Sequence, residues 1–85
     1  MTQFQSRVWS VVRRISRGKT LTYAEVARRA GSPRAYRAVG NFLKNYDARE
    51  ITMPCHRVVA SRGIGGYRWG IAKKRALLKK EGVKI

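Results

Sequence analysis

Between Thr22 and Lys44 the sequence signals a helix, a sharp stop and a second helix, and this spacing restricts the fold more than any other feature of the chain. Thr22 and Glu25 stand at capping-box spacing, in which the hydroxyl accepts from the Glu25 amide and the carboxylate reaches back to the Thr22 amide. Ala24, Val26, Ala27 and Ala30 continue a short helix, and Gly31 stops it. Ser32 is then placed to cap a third helix with Pro33 at its first position. Helix, tight glycine-containing turn and helix read as a helix-turn-helix, a weak motif on its own.

The third helix has two chemically different sides. Ala35, Val39, Phe42 and Leu43 fall on one, and Arg34, Arg37, Asn41 and Lys44 on the other, with the small residues Ala38 and Gly40 beside the basic stripe. Such a stripe suits either a DNA-facing helix or an ordinary solvated face. The charge of the whole chain bears on the choice. Its 85 residues hold 20 Lys and Arg against 4 Asp and Glu, a net charge of +16. That excess draws a protein to polyanions, nucleic acid or an anionic membrane surface.

The remaining elements are legible by period and punctuation. Thr2 and Gln5 form another capping box, and Phe4, Val8, Val11, Val12 and Ile15 recur at helical spacing with Trp9 beside them. Ser16-Arg17-Gly18-Lys19 ends that helix. Asn45 to Glu50 reads as a polar loop, Ile51-Thr52-Met53 as an apolar approach to Pro54-Cys55, and Arg57 to Ala60 as a short strand. The glycine-rich turn Ser61–Gly66, with Tyr67-Arg68-Trp69 returning from it, suggests a hairpin wing. Gly70 to Gly82 reads as a last helix with Ile71, Leu77 and Leu78 on its apolar side and its Lys and Arg residues exposed. A chain of this length makes one small domain, residues 1–85, with a modest core. No apolar run of membrane-spanning length and no signal peptide are apparent, and one cysteine suits a reducing compartment. The Cys, the His and the scattered acids do not stand at zinc-ligand spacing, so no metal is expected.

Cys55 and His56, the one cysteine and the one histidine, are adjacent. A thiolate is the nucleophilic form of cysteine, and a neighbouring base or cation makes it easier to form. The spacing alone fits either a reactive thiol or a chance pairing in a structural turn.

The residues around the pair carry a family resemblance. Pro54-Cys55-His56-Arg57-Val58 resembles the active-site motif of the O6-alkylguanine-DNA alkyltransferases, the methylated-DNA–protein-cysteine methyltransferases. Thr22-Tyr23, Arg37-Ala38-Val39-Gly40, Gly66-Tyr67-Arg68-Trp69-Gly70 and Leu77-Leu78-Lys79-Lys80-Glu81-Gly82 extend the likeness in the family's order, over about residues 4 to 82. The resemblance implies an α+β, mostly helical winged helix-turn-helix with the cysteine beneath the recognition helix. It implies single-turnover DNA repair in which Cys55 accepts the alkyl group of O6-alkylguanine, and also of O4-alkylthymine. His56 is then the base that draws the thiol proton through a water, and Glu81 orients the histidine, much as a carboxylate supports a triad. Arg37 matches the arginine that fills the stack when the damaged nucleotide is flipped out, and Tyr23 the tyrosine that crowds the phosphate and hydrogen-bonds the flipped base. Val58 matches a backbone carbonyl that meets the guanine edge. Tyr67, Arg68 and Trp69 line the pocket, and Asn45 holds the cysteine turn, although the loop before Cys55 is about one residue off the family's spacing. Trp69 stands where some members carry small residues, which predicts good acceptance of methyl and poor acceptance of bulky groups. Without the resemblance Tyr23 reads equally as a core-edge tyrosine and Glu81 as a helix-end acid.

The implied partner is double-stranded alkylated DNA, bound through the minor groove by a monomer, with no cofactor and no membrane, in the cytoplasm or, in a eukaryote, the nucleus. Most members carry a further domain ahead of this one, so the chain reads as a minimal form, a fragment or part of a fusion. Two other readings compete. One is an alkyltransferase-like protein that binds lesions without transfer, a group in which Trp usually stands at the cysteine position. The other is a winged-helix regulator, which would need none of Cys55, His56, Tyr23, Arg37 and Glu81.

Overall fold

The computed structural model describes residues 2–46, 53–67 and 69–84. Both sequence-level capping boxes form. The Gln5 amide donates to Thr2 Oγ1 at 3.1 Å and the Thr2 amide to Gln5 Oε1 at 3.0 Å, opening α1 (Gln3–Arg13). The Thr22 and Glu25 pair closes with two bonds of 3.1 Å and opens α2 (Tyr23–Arg29). Amides that have no helical acceptor are satisfied in this way without tertiary help.

The start of α3 (Tyr36–Asn45) departs from expectation. Ser32 does not cap it. The Ser32 amide donates to Ala27 O at 3.0 Å and the Gly31 amide to Arg28 O at 3.0 Å, with Gly31 at φ +86°. This is a Schellman closure of α2, and it commits Ser32 to the helix before. Pro33 and Arg34 then form a turn, the Ala35 amide donating to Ser32 O at 2.9 Å, and the helix begins after it. Arg34 therefore lies in the lead-in turn and not on the helix.

Val8 and Val12 of α1, Val26 and Ala27 of α2, and Val39, Phe42 and Leu43 of α3 make the core, with Ile15, Tyr46, Met53, Cys55 and Val58 closing it. β1 (Leu21–Thr22) and β2 (Val58–Val59) pair in parallel, Leu21 opposite Val58 and Thr22 opposite Val59. The strand after Cys55 thus joins the segment before α2, and among the described residues no ladder pairs it with Tyr67 or Trp69 as expected. What remains of the wing is a loop closed by one antiparallel bridge, Ala60 to Gly63. Its Gly66 carbonyl accepts from the Tyr23 hydroxyl and the Lys74 ammonium, which takes it out of any ladder.

α4 (Ile71–Lys80) also differs from its sequence reading. Leu78 is fully buried, but Ile71 is half exposed and Lys74 is fully buried. The helix ends in a second Schellman closure, Val83 N to Leu78 O at 2.9 Å and Gly82 N to Lys79 O at 3.0 Å, with Gly82 at φ +88°. Glu81 is the residue inside that closure. The Gly18 turn packs against it, since a side chain at Gly18 would stand 3.1 Å from the Glu81 carbonyl. Among the described residues no helix is long and apolar enough to cross a membrane.

Candidate active site

Cys55 opens a single 3₁₀ turn, Cys55–Arg57, that is fixed by the Arg57 amide donating to Pro54 O at 3.0 Å. The turn buries the thiol, leaving the residue 5 % exposed, with Sγ 3.7 Å from the Tyr46 hydroxyl. A cavity of about 440 Å³ reaches it, lined by Tyr23, Gly40, Leu43, Lys44, Cys55, Gly66, Tyr67, Gly70 and Ile71. That volume is in the range of small-molecule sites, about 300–1,000 Å³. One wall is α3, whose stripe Arg37, Gly40, Lys44 runs from the exposed surface to the cavity lip, three and four residues apart.

On the far side of the turn, the next two residues grip one carboxylate. His56 Nε2 lies 2.9 Å from Glu81 Oε2. Arg57 donates to both Glu81 oxygens, Nε to Oε1 and Nη2 to Oε2, each at 2.9 Å, and Arg57 Nη1 donates to Ile15 O at 2.8 Å. The Arg57 hydrogen bonds, aided by those of His56, hold the Glu81 carboxyl down to about 2. The same pairing raises the Arg57 guanidinium further. An ionised carboxylate can only accept, so His56 donates to Glu81 from Nε2.

Tyr23, the first residue of α2, stands on the opposite wall with its hydroxyl donating to Gly66 O at 3.4 Å. Burial, and then the charge of Cys55, push its phenol above the usual tyrosine range. Gly40 faces this ring, 4.0 Å from where a side chain would begin.

The site residues read from the sequence divide by position. Cys55, Tyr23, Gly40, Lys44 and Tyr67 share the cavity, and His56 and Glu81 meet behind it. Val58 is fully buried next to the turn, its carbonyl accepting from Lys74 Nζ at 2.6 Å. Arg37, Ala38 and Asn41 are exposed on α3, and Arg34 on the turn before it. Asn45 is exposed and donates from Nδ2 to Asn41 O at 2.9 Å, one turn back in its own helix. Trp69 does not line the cavity. It is 47 % exposed and packs edge-on against the cavity residue Tyr67, ring centroids 5.2 Å apart. Arg68, and the loop positions from Asp47 to Thr52, lie outside the described residues.

Three contributors escape the sequence reading. Arg57 sits inside the quoted motif without a role of its own. Tyr46 falls in the polar loop of the sequence reading, yet it is buried at the end of α3, against Phe42. Lys74 is hidden among lysines, although its place four residues before the buried Leu78 sets it on the inner side of α4. Among the described residues no group of three or more His, Cys, Asp or Glu gathers at metal-binding distance.

Known proteins resemble this chain over most of its length. The chain is 49% identical over 86 residues to the methylated-DNA–protein-cysteine methyltransferase of Methanothermobacter thermautotrophicus and 43% identical over 82 residues to that of Kluyveromyces lactis. These alignments cover 99% and 94% of this chain but 47% and 42% of those relatives, so the chain spans about half their length. The structure of Mycobacterium tuberculosis OGT in complex with DNA superposes with a TM-score of 0.84 at 44% identity, covering 96% of this chain and 50% of that one. S. pombe Atl1 in complex with damaged DNA containing O6-carboxymethylguanine superposes with a TM-score of 0.85 at 36% identity, covering 100% of this chain and 81% of that one. Residues 3–83 match the family described as 6-O-methylguanine DNA methyltransferase, DNA binding domain, and the chain belongs to that family.

Proposed function

We propose that this domain repairs alkylated DNA by taking the alkyl group onto Cys55. The observation that carries the reading is the position of Cys55. Its side chain closes the bottom of a cavity bordered by the basic stripe of α3, while the adjacent His56 is tied to an ionised Glu81. The damaged nucleotide leaves the stack at a cost of a few kcal/mol and enters between Tyr23 and Tyr67, with Arg37 filling its place. His56 Nδ1 draws the Cys55 thiol proton through one water. The thiolate lone pair forms a bond to the alkyl carbon, and the electrons of the carbon–O6 bond go to guanine, which leaves as a delocalised anion and takes up a proton. Charge on His56 is stabilised by Glu81, and Arg57 keeps that carboxylate from turning away. A thioether is not reversed by water, so the protein acts once, and it acts as a monomer without a cofactor. Alkylated thymine O4 is a second substrate by the same displacement. The bound DNA is double-stranded and met through its minor groove, where little base sequence is read.

The shape agreement with Atl1 over 81% of that chain favours a second reading, lesion binding without transfer. Cys55 is what separates the two. Intact-protein mass after incubation with duplex DNA containing O6-methylguanine decides between them. A gain of one methyl, mapped to Cys55 and absent from Cys55→Ala, establishes transfer. An unchanged mass with lesion-selective binding establishes the second reading, and an unchanged mass without lesion preference removes both.

A further inference from the structure

Lys74 is fully buried, while the other lysines and arginines among the described residues are solvated at least in part. Lysine is among the residues least often buried, because its ammonium must replace water with specific partners. Lys74 Nζ has two, both neutral carbonyls: Val58 O at 2.6 Å and Gly66 O at 2.9 Å. Val58 is the first residue after the Cys55–Arg57 turn, and Gly66 is part of the cavity wall and also the acceptor of the Tyr23 hydroxyl. The ammonium therefore bridges the exit of the cysteine turn and the glycine wall opposite. It also lies 5.9 Å from the centre of the Tyr23 ring. Two carbonyls without an anion are a poor replacement for water, and Cys55 is the acidic group whose charge acts on this ammonium.

We propose that Lys74 is a positioning residue of the alkyl-acceptor site, tying the Val58 and Gly66 walls together and serving as the resident counter-charge of the Cys55 thiolate. This rests on the reading of Cys55 as a nucleophile. Burial lowers the Lys74 ammonium to about 8, and the Cys55 charge opposes that fall. Among the described residues the titratable groups that act on it are Cys55 from the turn, through its charge, and Tyr23 from α2, through its ring; Val58 of β2 and Gly66 of the glycine loop meet it with carbonyls. Coupling of this kind is reciprocal: the thiolate favours the ammonium by the factor by which the ammonium favours the thiolate. His56 remains the proton acceptor, since a protonated lysine has no lone pair to offer.

The first test uses the unaltered chain. The Lys74 ε-methylene is titrated by NMR before and after Cys55 is capped with methyl methanethiosulfonate, which replaces the thiol by a neutral disulfide. Capping is expected to move the Lys74 midpoint to lower pH by about half a unit or more. An identical midpoint overturns the proposal. The second test follows the pH dependence of Cys55 alkylation by iodoacetamide, without DNA, in Lys74→Met and Lys74→Arg. The Met variant is expected to move thiolate formation up by about one pH unit, a tenfold slower reaction at neutral pH, and Arg to recover most of it. A folded Lys74→Met chain with an unchanged profile overturns the counter-charge, and if it does not fold the capping titration decides. Neither test uses DNA. Coupling without methyl gain from DNA would therefore remove the repair reading while leaving the thiolate–ammonium pair, and methyl gain without coupling would do the reverse.

Discussion

Arg57 holds Glu81 through two parallel hydrogen bonds, Nε to Oε1 and Nη2 to Oε2, both 2.9 Å long. A guanidinium fork matches a carboxylate in a way no lysine can, so the pair fixes a direction as well as a charge. His56 takes the remaining direction on Oε2. The consequence is that Arg57, which does not line the cavity, fixes the carboxylate that holds His56.

Arg57→Lys keeps the charge and loses the fork. DNA affinity is expected to be unchanged while alkyl transfer at saturating DNA slows by about tenfold, because a catalytic base allowed to wander loses its alignment. Glu81→Gln should slow transfer more, by about a hundredfold or beyond, within the usual range for disabled acid–base catalysis. Single-turnover rates with affinity measured on the same duplex check both. Equal losses in affinity and rate would show that the carboxylate supports the fold and not the chemistry.

The same carboxylate makes stability depend on pH. Glu81 falls from an ordinary 4.5 to about 2 in the folded chain. A lowered folded value means that the unfolded chain binds protons first, so this contribution is complete above 4.5 and is lost as pH falls towards 2. Urea midpoints of the parent chain and Glu81→Gln at pH 6, 4, 3 and 2 should therefore converge as the pH falls. A gap that stays constant would contradict the pairing.

Gly65 has φ +75°, and a side chain there would stand 3.0 Å from the Ala60 amide nitrogen and 3.1 Å from the Tyr23 hydroxyl. Gly65→Ala combines a disfavoured backbone with a push on the cavity wall, expected to destabilise by about 1–3 kcal/mol. Thermal unfolding should register this as a fall of several degrees, and transfer should slow further because Tyr23 is displaced. Gly63→Ala is the control, since nothing lies within 4 Å of the added group.

Arg37 and Arg34 separate two kinds of basic contact. Both are exposed, but Arg37 leads along α3 to Gly40 and the cavity, while Arg34 sits in the turn before the helix. Arg37→Ala should weaken lesion preference as well as affinity. Arg34→Ala should lower affinity alike for damaged and intact duplexes and reduce the slope of log affinity against log salt by about one. Titrations at several salt concentrations on both duplexes distinguish the two outcomes.

Much of this protein is local and therefore written in the sequence. Thr2 with Gln5 and Thr22 with Glu25 start helices because each box satisfies its own amides, and Gly31 and Gly82 stop them because a left-handed residue closes the last carbonyls. The adjacency of Cys55 and His56 and the basic stripe of α3 were legible for the same reason, whereas Glu81 was singled out only by the family likeness. The tertiary structure decided what depends on partners far along the chain. Ser32 looked like a cap for α3 until the closure of α2 claimed its amide. The strand after Cys55 found a parallel partner in Leu21–Thr22 because that edge was available and the glycine loop's Gly66 carbonyl was not. Lys74 reads as one more surface lysine, yet packing four residues before Leu78 drives it inward, where two backbone carbonyls replace water. Periodicity and capping act over one helical turn, so they fix the elements. Burial of a charge acts across the whole core, and only the assembled core shows which lysine carries it.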